Sequence, residues 1–419
     1  MKVLVLGWEY PPQVAGGLGA ACEGLTTALA GLGHDVILAV PAGSGAEEVR
    51  DHPGIERVEI PLGEGAARPA LLSPYAPVQP AADASDDAAP RAGARTTASR
   101  RLYGADLDGA LQRYTVAAVR ELAGRDFDVV HAHDWMTIPA AMQLRLKAGR
   151  PVCLQLHSTS FDRSGASKVD GDPISRLETV GARTADRVIA VSEYGRGVVH
   201  RECGASIDCI DVVRNAAPAG EAMEPAPLPD PGRPVVLFLA RLTRQKGASL
   251  LLRAAPSILD RVPSARLVIA GEGDARNELI EESAALGVAK SVFFPGSLSD
   301  AARDRAYRGA AVFVLPSVSE PFGLTPLEAL RFGTPSVLSA ASGVRELLHS
   351  APAPDPSDSD ALAAEVCSLL VDEGRRAALV AAGRTEIAGA TWDRSALALT
   401  ATFARAIEES GRSERRANR

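Results

Sequence analysis

Three things are scarce in this chain of 419 residues: cysteine, long apolar runs and an excess of basic charge. The five cysteines are odd in number and lack CxxC spacing, which argues against a disulfide framework or a zinc site. Free thiols suit a reducing, cytoplasmic compartment. No apolar run reaches the ~18 residues of a membrane-spanning helix, so no integral membrane segment is expected. The net charge of −7 disfavours a nucleic-acid partner, because nucleic-acid binders usually carry a basic face.

Short apolar runs alternate with longer segments of helical period through most of the chain. The opening stretch, MKVLVLGWEYPP, has an apolar run too short for a signal peptide, so it predicts a first strand. Such runs occupy residues 2–7, 34–41, 127–133, 151–157, 186–192 and 210–215, and then 234–241, 265–273, 291–297, 311–318 and 334–340. Near-continuous apolar strands between helices predict parallel sheets covered on both faces, and hence an α/β fold.

The length of the chain and a break in this alternation predict two domains. Residues 216–233 are rich in proline and form a predicted linker. The predicted parts are a first domain over 1–215 with a mobile polar insert near 77–101, a second domain over 234–390, a C-terminal helix over 391–409 and a polar tail over 410–419. The C-terminal helix is a candidate to pack back on the first domain.

Ligands bind outside the carboxyl ends of the strands in open parallel sheets, and the unusual residues of this chain follow predicted strands. The glycine loop AGGLG, at 15–19, follows the first strand. It departs from the dinucleotide motif GxGxxG, since Cys22 holds the sixth position, and the next strand ends in Val40-Pro41 without a ribose-binding acid. A nicotinamide cofactor is therefore not expected. An anion site and a plain tight turn both remain open for the glycines.

Lys246 opens the helix after the first strand of the second domain, and Arg241 ends that strand. A cation at a helix N-terminus opposes the helix macrodipole, at a cost of roughly a few tenths of a kcal/mol. A bound phosphate reverses that sign, because Lys246, Arg241 and the helix amides can then converge on one anion. The alternative interpretation is an exposed lysine at a helix start.

The stretch SEPFGLTPLEAL, at 319–330, places two carboxylates after an apolar strand. Thr325-Pro326-Leu327-Glu328 has the form of a capping box, which offers a structural explanation for Glu328. Glu320 has no such explanation, and its acceptor oxygens suit hydroxyl groups. Two carboxylates beside an anion-binding turn predict a ligand with phosphates and many hydroxyls, such as a sugar nucleotide.

The run His131-Ala132-His133-Asp134 invites comparison with the dinuclear-metal pattern HxHxDH. The spacing differs, because Asp134 directly follows the second histidine and Trp135 comes next. A strand end that faces the cleft is the better interpretation, so no metal site is predicted.

At these residues the chain resembles the retaining GT-B glycosyltransferases of the glycogen synthase and sucrose synthase-like group, which are glycosyltransferase family 4-like. The resemblance rests on GGLG (16–19), VVHAHDW (129–135), LHSTSFDRSG (156–165), ARLTRQKG (240–247), AGEGD (270–274) and EPFGLTPLE (320–328). It implies the GT-B fold, in which two Rossmann-like parallel-sheet domains face a central cleft. Ala240 departs from the family pattern, which has glycine there, and the 77–101 insert has no family counterpart.

The resemblance implies a role for each matching residue. Arg241 and Lys246 hold the donor diphosphate, and Glu328 takes the ribose hydroxyls. Glu320 meets the donor sugar hydroxyls, and His157 lies near the 6-hydroxyl. Further implied donor contacts are Gly16, Gly17, Phe322, Gly323, Leu324 and Thr325. The implied catalytic residues are His157, Glu320, Arg241 and Lys246, and the acceptor-side candidates are His133 and Asp134.

The implied reaction transfers a sugar from a nucleoside diphosphate sugar to a hydroxyl of a carbohydrate or small-molecule acceptor. The family resemblance favours glucose as that sugar. The anomeric configuration is retained, and no metal or cofactor is implied beyond the nucleotide-sugar co-substrate. A GT-B epimerase or phosphorylase is the alternative among enzymes. A sugar-nucleotide-binding regulator is the alternative outside them.

Overall fold

The computed structural model describes residues 1–11, 17–42, 52–62, 107–167, 171–216, 223, 230 and 232–417. Gly16, the insert near 77–101 and most of the predicted linker lie outside these residues.

The first half of the chain forms a sheet of seven strands, all parallel. Its strands are β1 (Lys2–Leu6), β2 (Asp35–Pro41), β3 (Ile55–Ile60), β4 (Val129–His133), β5 (Val152–Leu156), β6 (Arg187–Ala190) and β7 (Ile210–Val212), in the order β3-β2-β1-β4-β5-β6-β7. Its helices are α1 (Gly17–Gly31), α2 (Leu107–Leu122), α3 (Asp134–Ala148), α4 (Ser160–Arg163), α5 (Pro173–Thr184) and α6 (Glu193–Val198).

The second half repeats the plan with five parallel strands. They are β8 (Val235–Leu239), β9 (Arg266–Ala270), β10 (Val292–Gly296), β11 (Val312–Leu315) and β12 (Ser336–Leu338), in the order β10-β9-β8-β11-β12. The helices are α7 (Ala248–Arg261), α8 (Arg276–Ala285), α9 (Asp300–Gly309), α10 (Thr325–Arg331), α11 (Ser359–Val371), α12 (Glu373–Ile387) and α13 (Trp392–Ala417). The predicted α/β class with two parallel-sheet domains is confirmed.

Strand β3 is the element that the apolar runs did not predict. It lies at the edge of the first sheet, where only one neighbouring strand covers it. Its sequence, IERVEI, has apolar residues only at Ile55, Val58 and Ile60, and only Ile60 is fully buried. A search for continuous apolar runs overlooks such a half-exposed strand.

In each sheet the first strand in the chain is an inner strand. The next strands in sequence lie on one side of it, and the later strands lie on its other side. Strand β1 lies between β2 and β4, and β8 lies between β9 and β11. A crevice opens at the carboxyl ends of two such neighbours, and ligands of open α/β sheets bind there. The residues that follow β1, β4, β8 and β11 therefore define the place to look for a site.

The last helix, α13, returns to the first domain. Its Leu399 and Phe403 share a buried apolar cluster with Val3 and Leu25 of that domain. Close approach requires Gly24 on α1, because a Cβ there would lie 2.3 Å from Cε2 of Trp392. The helix continues through most of the predicted polar tail, which corrects its expected end at 409. Glutamate and arginine in that segment are good helix formers, and Glu408 and Arg412 form an i,i+4 pair.

No helix among the described residues is long and apolar enough to cross a membrane.

Candidate functional site

The turn that carries Lys246 depends on a glycine. Strand β8 is followed by a short 3-10 turn, Arg244–Lys246, and then by Gly247, whose φ is 74°. A Cβ at Gly247 would lie 2.1 Å from the carbonyl oxygen of Pro316, which follows β11. Only glycine combines this left-handed backbone with so close an approach. The loops after β8 and β11 are therefore packed together, and Lys246 lies at the contact between them.

Lys246 and Glu320 form an ion pair in this crevice. Nζ of Lys246 lies 2.6 Å from Oε2 of Glu320, and the hydroxyl of Ser317 donates to the same oxygen at 3.1 Å. The side chains are only 16% and 6% exposed. A partly desolvated charge pair of this kind is held in a defined geometry, and its ammonium still has two further N–H donors.

Arg241 lies on the same edge, two residues past β8, and is half-buried. Its loop is covered by the loop after β9, where Leu242 donates its N–H to the carbonyl of Glu272 at 2.9 Å. Side chains at Gly271 or Gly273 would collide with the carbonyls of Ala240 or Leu242, at 1.9 and 2.2 Å. The AGEGD motif therefore has a packing role beneath Arg241.

The contacts that hold Glu328 differ from the predicted ones. The predicted capping box is wrong: Leu324 is the N-cap, Thr325 is already the first helical residue, and no side chain caps the helix. Helical torsions at Leu324, which follows the turn at Gly323, start α10 one residue early. Oε2 of Glu328 instead accepts a hydrogen bond of 2.8 Å from the hydroxyl of Tyr307, a buried residue on α9.

The other residues predicted to contact the donor in this segment lie around the turn before α10, and we call residues 320–325 the donor loop. Phe322 is buried in an apolar cluster that includes Val191 of the first domain, and its carbonyl accepts from the N–H of Val344. Gly323 has a φ of 99°. Leu324 faces Gly17 at the start of α1, since a Cβ on Gly17 would lie 3.3 Å from its Cδ1. Gly17 and the donor loop therefore meet across the two domains.

His157 is half-buried and lies beside two buried histidines of the first domain, His131 and His133. Nε2 of His157 lies 2.9 Å from Nδ1 of His133, and Nε2 of His131 lies 2.9 Å from Oε1 of Gln155. Burial lowers the pKa of His157 and of His131 to about 3, and it lowers the pKa of His133 well below its usual range. All three rings are therefore neutral near pH 7, and one of each bonded pair donates while the other accepts.

Asp134 holds the loop of His157 through a hydrogen bond to its backbone. Its backbone is left-handed, with a φ of 57°, a conformation that costs roughly 1 kcal/mol for a residue other than glycine. Its Oδ1 accepts the N–H of His157 at 2.7 Å. Burial raises the pKa of Asp134 to about 6, against the opposing effect of that hydrogen bond. His133 and Asp134 are 0% and 3% exposed, so neither presents much surface to a ligand. Their predicted role at the acceptor substrate stays a prediction.

The structure brings Lys246, Glu320, Arg241 and Gly17 to facing strand ends, and it adds residues that the sequence did not single out. Ser317 and Tyr307 each donate to one of the two carboxylates. Ser317 could have been predicted from the sequence, since it lies three residues before Glu320 in the same strand-end loop.

Comparisons with known proteins agree with this arrangement. Two facing parallel sheets with a charged crevice at their switch points define a protein of the GT-B class. The family model for glycosyl transferases group 1 matches residues 221–386, and the model for the glycosyl transferase 4-like domain matches residues 16–216. The chain belongs to the GT-B glycosyltransferases of the glycogen synthase-like group.

Individual relatives extend over most of the chain. A glycogen synthase of Mycobacterium tuberculosis is 31% identical over 378 residues, which cover 89% of this chain and 86% of that protein. Sucrose-phosphate synthase from Thermosynechococcus elongatus has a similar structure, with a TM-score of 0.73, 19% identity and coverage of 97% and 98%. The catalytic domain of starch synthase IV from Arabidopsis thaliana, bound to ADP and acarbose, gives a TM-score of 0.69, 18% identity and coverage of 97% and 99%.

Proposed function

We propose that this glycosyltransferase transfers glucose from a nucleoside diphosphate glucose to an acceptor hydroxyl, with retention of configuration and without a metal. The observation that carries the proposal is the contact between Lys246 and Glu320 at the adjoining ends of β8 and β11. A cation for phosphate and a carboxylate for hydroxyls stand side by side there, as a sugar nucleotide requires. The choice of glucose is supported by similarity to glycogen, sucrose-phosphate and starch synthases.

In this proposal the second domain binds the donor. The diphosphate lies against Lys246 and Arg241, the ribose hydroxyls bond to Glu328, and the sugar hydroxyls bond to Glu320. Tyr307 keeps one oxygen of Glu328 in place and leaves its other oxygen for the ribose. From the first domain, Gly17 lies against Leu324 of the donor loop, which brings the start of α1 close to the diphosphate, and His157 takes the 6-hydroxyl.

Bond breaking requires charge stabilisation at the leaving group. The bond between the anomeric carbon and the diphosphate oxygen breaks, while the acceptor oxygen forms its new bond on the same face of the ring. The acceptor proton passes to the departing diphosphate oxygen. Lys246 and Arg241 meet the negative charge that develops on the diphosphate, which is the largest contribution such a site can make. His157 is neutral near pH 7, so it acts as a hydrogen-bonding partner.

The test is a thermal-shift screen of nucleoside diphosphate sugars, followed by mass spectrometry of products with carbohydrate and small-molecule acceptors. A free nucleoside diphosphate together with a glycoside is the expected result. An isomerised sugar nucleotide would indicate an epimerase, and a sugar phosphate would indicate a phosphorylase. Stabilisation by a sugar nucleotide without any turnover would indicate a binding protein. Each of these three results would overturn the proposal.

A further inference from the structure

Ser319, the residue before Glu320, is bonded to the opposite domain through its side chain. It is fully buried, and its hydroxyl donates to Oδ1 of Asp162 at 2.5 Å. The hydroxyl of Tyr194 lies 2.8 Å from the same Ser319 oxygen. Since the Ser319 proton is given to Asp162, Tyr194 is the donor in the second bond. The three groups form one chain that runs from α6 through the second domain to α4.

Asp162 also holds the loop of the first domain that contains His157. Its Oδ2 accepts both the backbone N–H and the hydroxyl of Thr159, each at 2.8 Å. Thr159 is two residues past His157, and Ser319 is one residue before Glu320. One buried carboxylate, 1% exposed, therefore connects the two loops that carry the candidate catalytic residues of the two domains.

The backbone of Ser319 is fixed on the side of Lys246. Its carbonyl accepts a hydrogen bond of 3.0 Å from Nε2 of Gln245, and the carbonyl of Gln245 accepts the N–H of Val318 at 2.8 Å. Gln245 directly precedes Lys246. A shift of Ser319 would therefore change the position of Glu320 relative to Lys246.

We propose that Asp162 is a positioning residue that acts through Ser319: when the domains meet, it sets Glu320 against Lys246 and aligns this pair with the His157 loop. The inference deepens the proposed function and rests on it. The hydroxyl of Ser319 reaches across the domains, whereas the cations proposed to hold the diphosphate lie in the second domain. The contact should therefore affect turnover far more than nucleotide affinity.

The first variant to test is Ser319→Ala, which removes the hydroxyl and adds no bulk. The turnover number should fall about 10- to 100-fold, while the dissociation constant of the nucleoside diphosphate, measured by calorimetry, changes less than about 2-fold. The matched control is Ser283→Ala. Ser283 is 2% exposed, and its hydroxyl donates to the carbonyl of Ile280 within α8, so its loss should leave turnover unchanged.

A double-mutant cycle shows whether Asp162 and Ser319 act through their shared bond. Asp162→Asn combined with Ser319→Ala should lower turnover no further than the more damaging single variant. Effects that multiply would show two independent roles and would overturn the proposal. So would wild-type turnover in Ser319→Ala, or a loss of nucleotide affinity as large as the loss of turnover.

A second measurement keeps the inference separate from the proposed function. Hydrogen exchange of the amides in 157–163 requires no catalysis and can be followed with nucleoside diphosphate present. Ser319→Ala should speed exchange there at least about 3-fold, and Ser283→Ala should not. Unchanged exchange would reject the interdomain contact even if the wild type transferred no sugar. Faster exchange in Ser319→Ala, found together with a wild type that transfers no sugar, would support the contact and reject only the proposed reaction.

Discussion

The ammonium of Lys246 and the carboxylate of Glu320 are partners at 2.6 Å, although 74 residues separate them in the chain. Because both side chains are largely buried, the loss of either one leaves a poorly solvated charge behind. Variants at these positions must therefore be judged by turnover and nucleotide affinity together, with stability measured alongside.

Lys246→Ala should lower turnover by about 10²- to 10³-fold, because it removes a cation from the leaving diphosphate. Nucleotide affinity should fall as well. Steady-state kinetics and calorimetry with the nucleoside diphosphate provide the measurement. Lys290→Ala is the control, since Lys290 is exposed in the same domain. Near-wild-type transfer by Lys246→Ala would reject its role at the diphosphate.

Glu320→Gln should separate the two functions of the pair. Glutamine keeps the size of the side chain but removes its charge, so Lys246 no longer shares its ammonium with a carboxylate. Turnover should fall at least ~10-fold, equivalent to about 1.4 kcal/mol at the transition state. Affinity for the nucleoside diphosphate should be retained or improved. Unchanged kinetics would return Glu320 to a structural role.

The strand-end residues could be predicted because each lies beside its strand in the sequence. Apolar runs locate β8 and β11, and the parallel sheet brings Arg241, Lys246 and Glu320 to one edge. For Glu328 the sequence correctly predicts a place in the first turn of a helix, but it predicts the wrong cap. A TPxE motif fits two helix registers that differ by one residue, and the turn at Gly323 decides between them.

Contacts across the domains could not be predicted in this way. Ser319 and Asp162 are 157 residues apart, and each has a plausible local role as a serine in a loop or an acid in a first helical turn. Nothing in either local pattern specifies the partner. Tyr307 is likewise an apolar-face residue of α9 by sequence, and only the packing of α9 beside α10 brings its hydroxyl to Glu328.

Tyr307→Phe should weaken donor binding with little effect on the chemical step. The hydroxyl orients Glu328, which in the proposed function binds the ribose, and one such hydrogen bond contributes about 1 kcal/mol. The Michaelis constant for the donor should rise roughly 5-fold. Tyr114→Phe is a suitable control, because Tyr114 is equally buried but lies in the first domain. An unchanged Michaelis constant in Tyr307→Phe would show that this contact does not position the ribose site.

Removal of divalent metal should leave transfer intact. The proposal assigns the stabilisation of the diphosphate to Lys246 and Arg241, so turnover after exhaustive treatment with EDTA should stay within about 2-fold of the untreated rate. The assay needs metal-free substrates and a parallel sample with added magnesium. Complete loss of activity that magnesium restores would contradict metal independence.

The buried histidines should make the protein less stable in acid. An unfolded histidine binds a proton below about pH 6.5, whereas His131 in the folded state stays neutral down to about pH 3. Between these values the unfolded state binds more protons, so the free energy of unfolding falls as pH falls. Each such histidine contributes up to about 1.4 kcal/mol per pH unit. Above pH 6.5 neither state is protonated, and this contribution is constant.

A variant comparison isolates this effect from the buried carboxyls. Burial raises the pKa of Asp134 to about 6 and that of Glu178 to about 7, so their folded forms take up protons first and oppose the histidines on acidification. His131→Gln can still donate to Gln155 but does not titrate, so its urea-unfolding free energy should fall less between pH 6.5 and ~4.5 than the wild type's. His349→Gln, at an exposed histidine, should follow the wild type. Parallel curves for His131→Gln and the wild type would show that His131 is not held neutral by its burial.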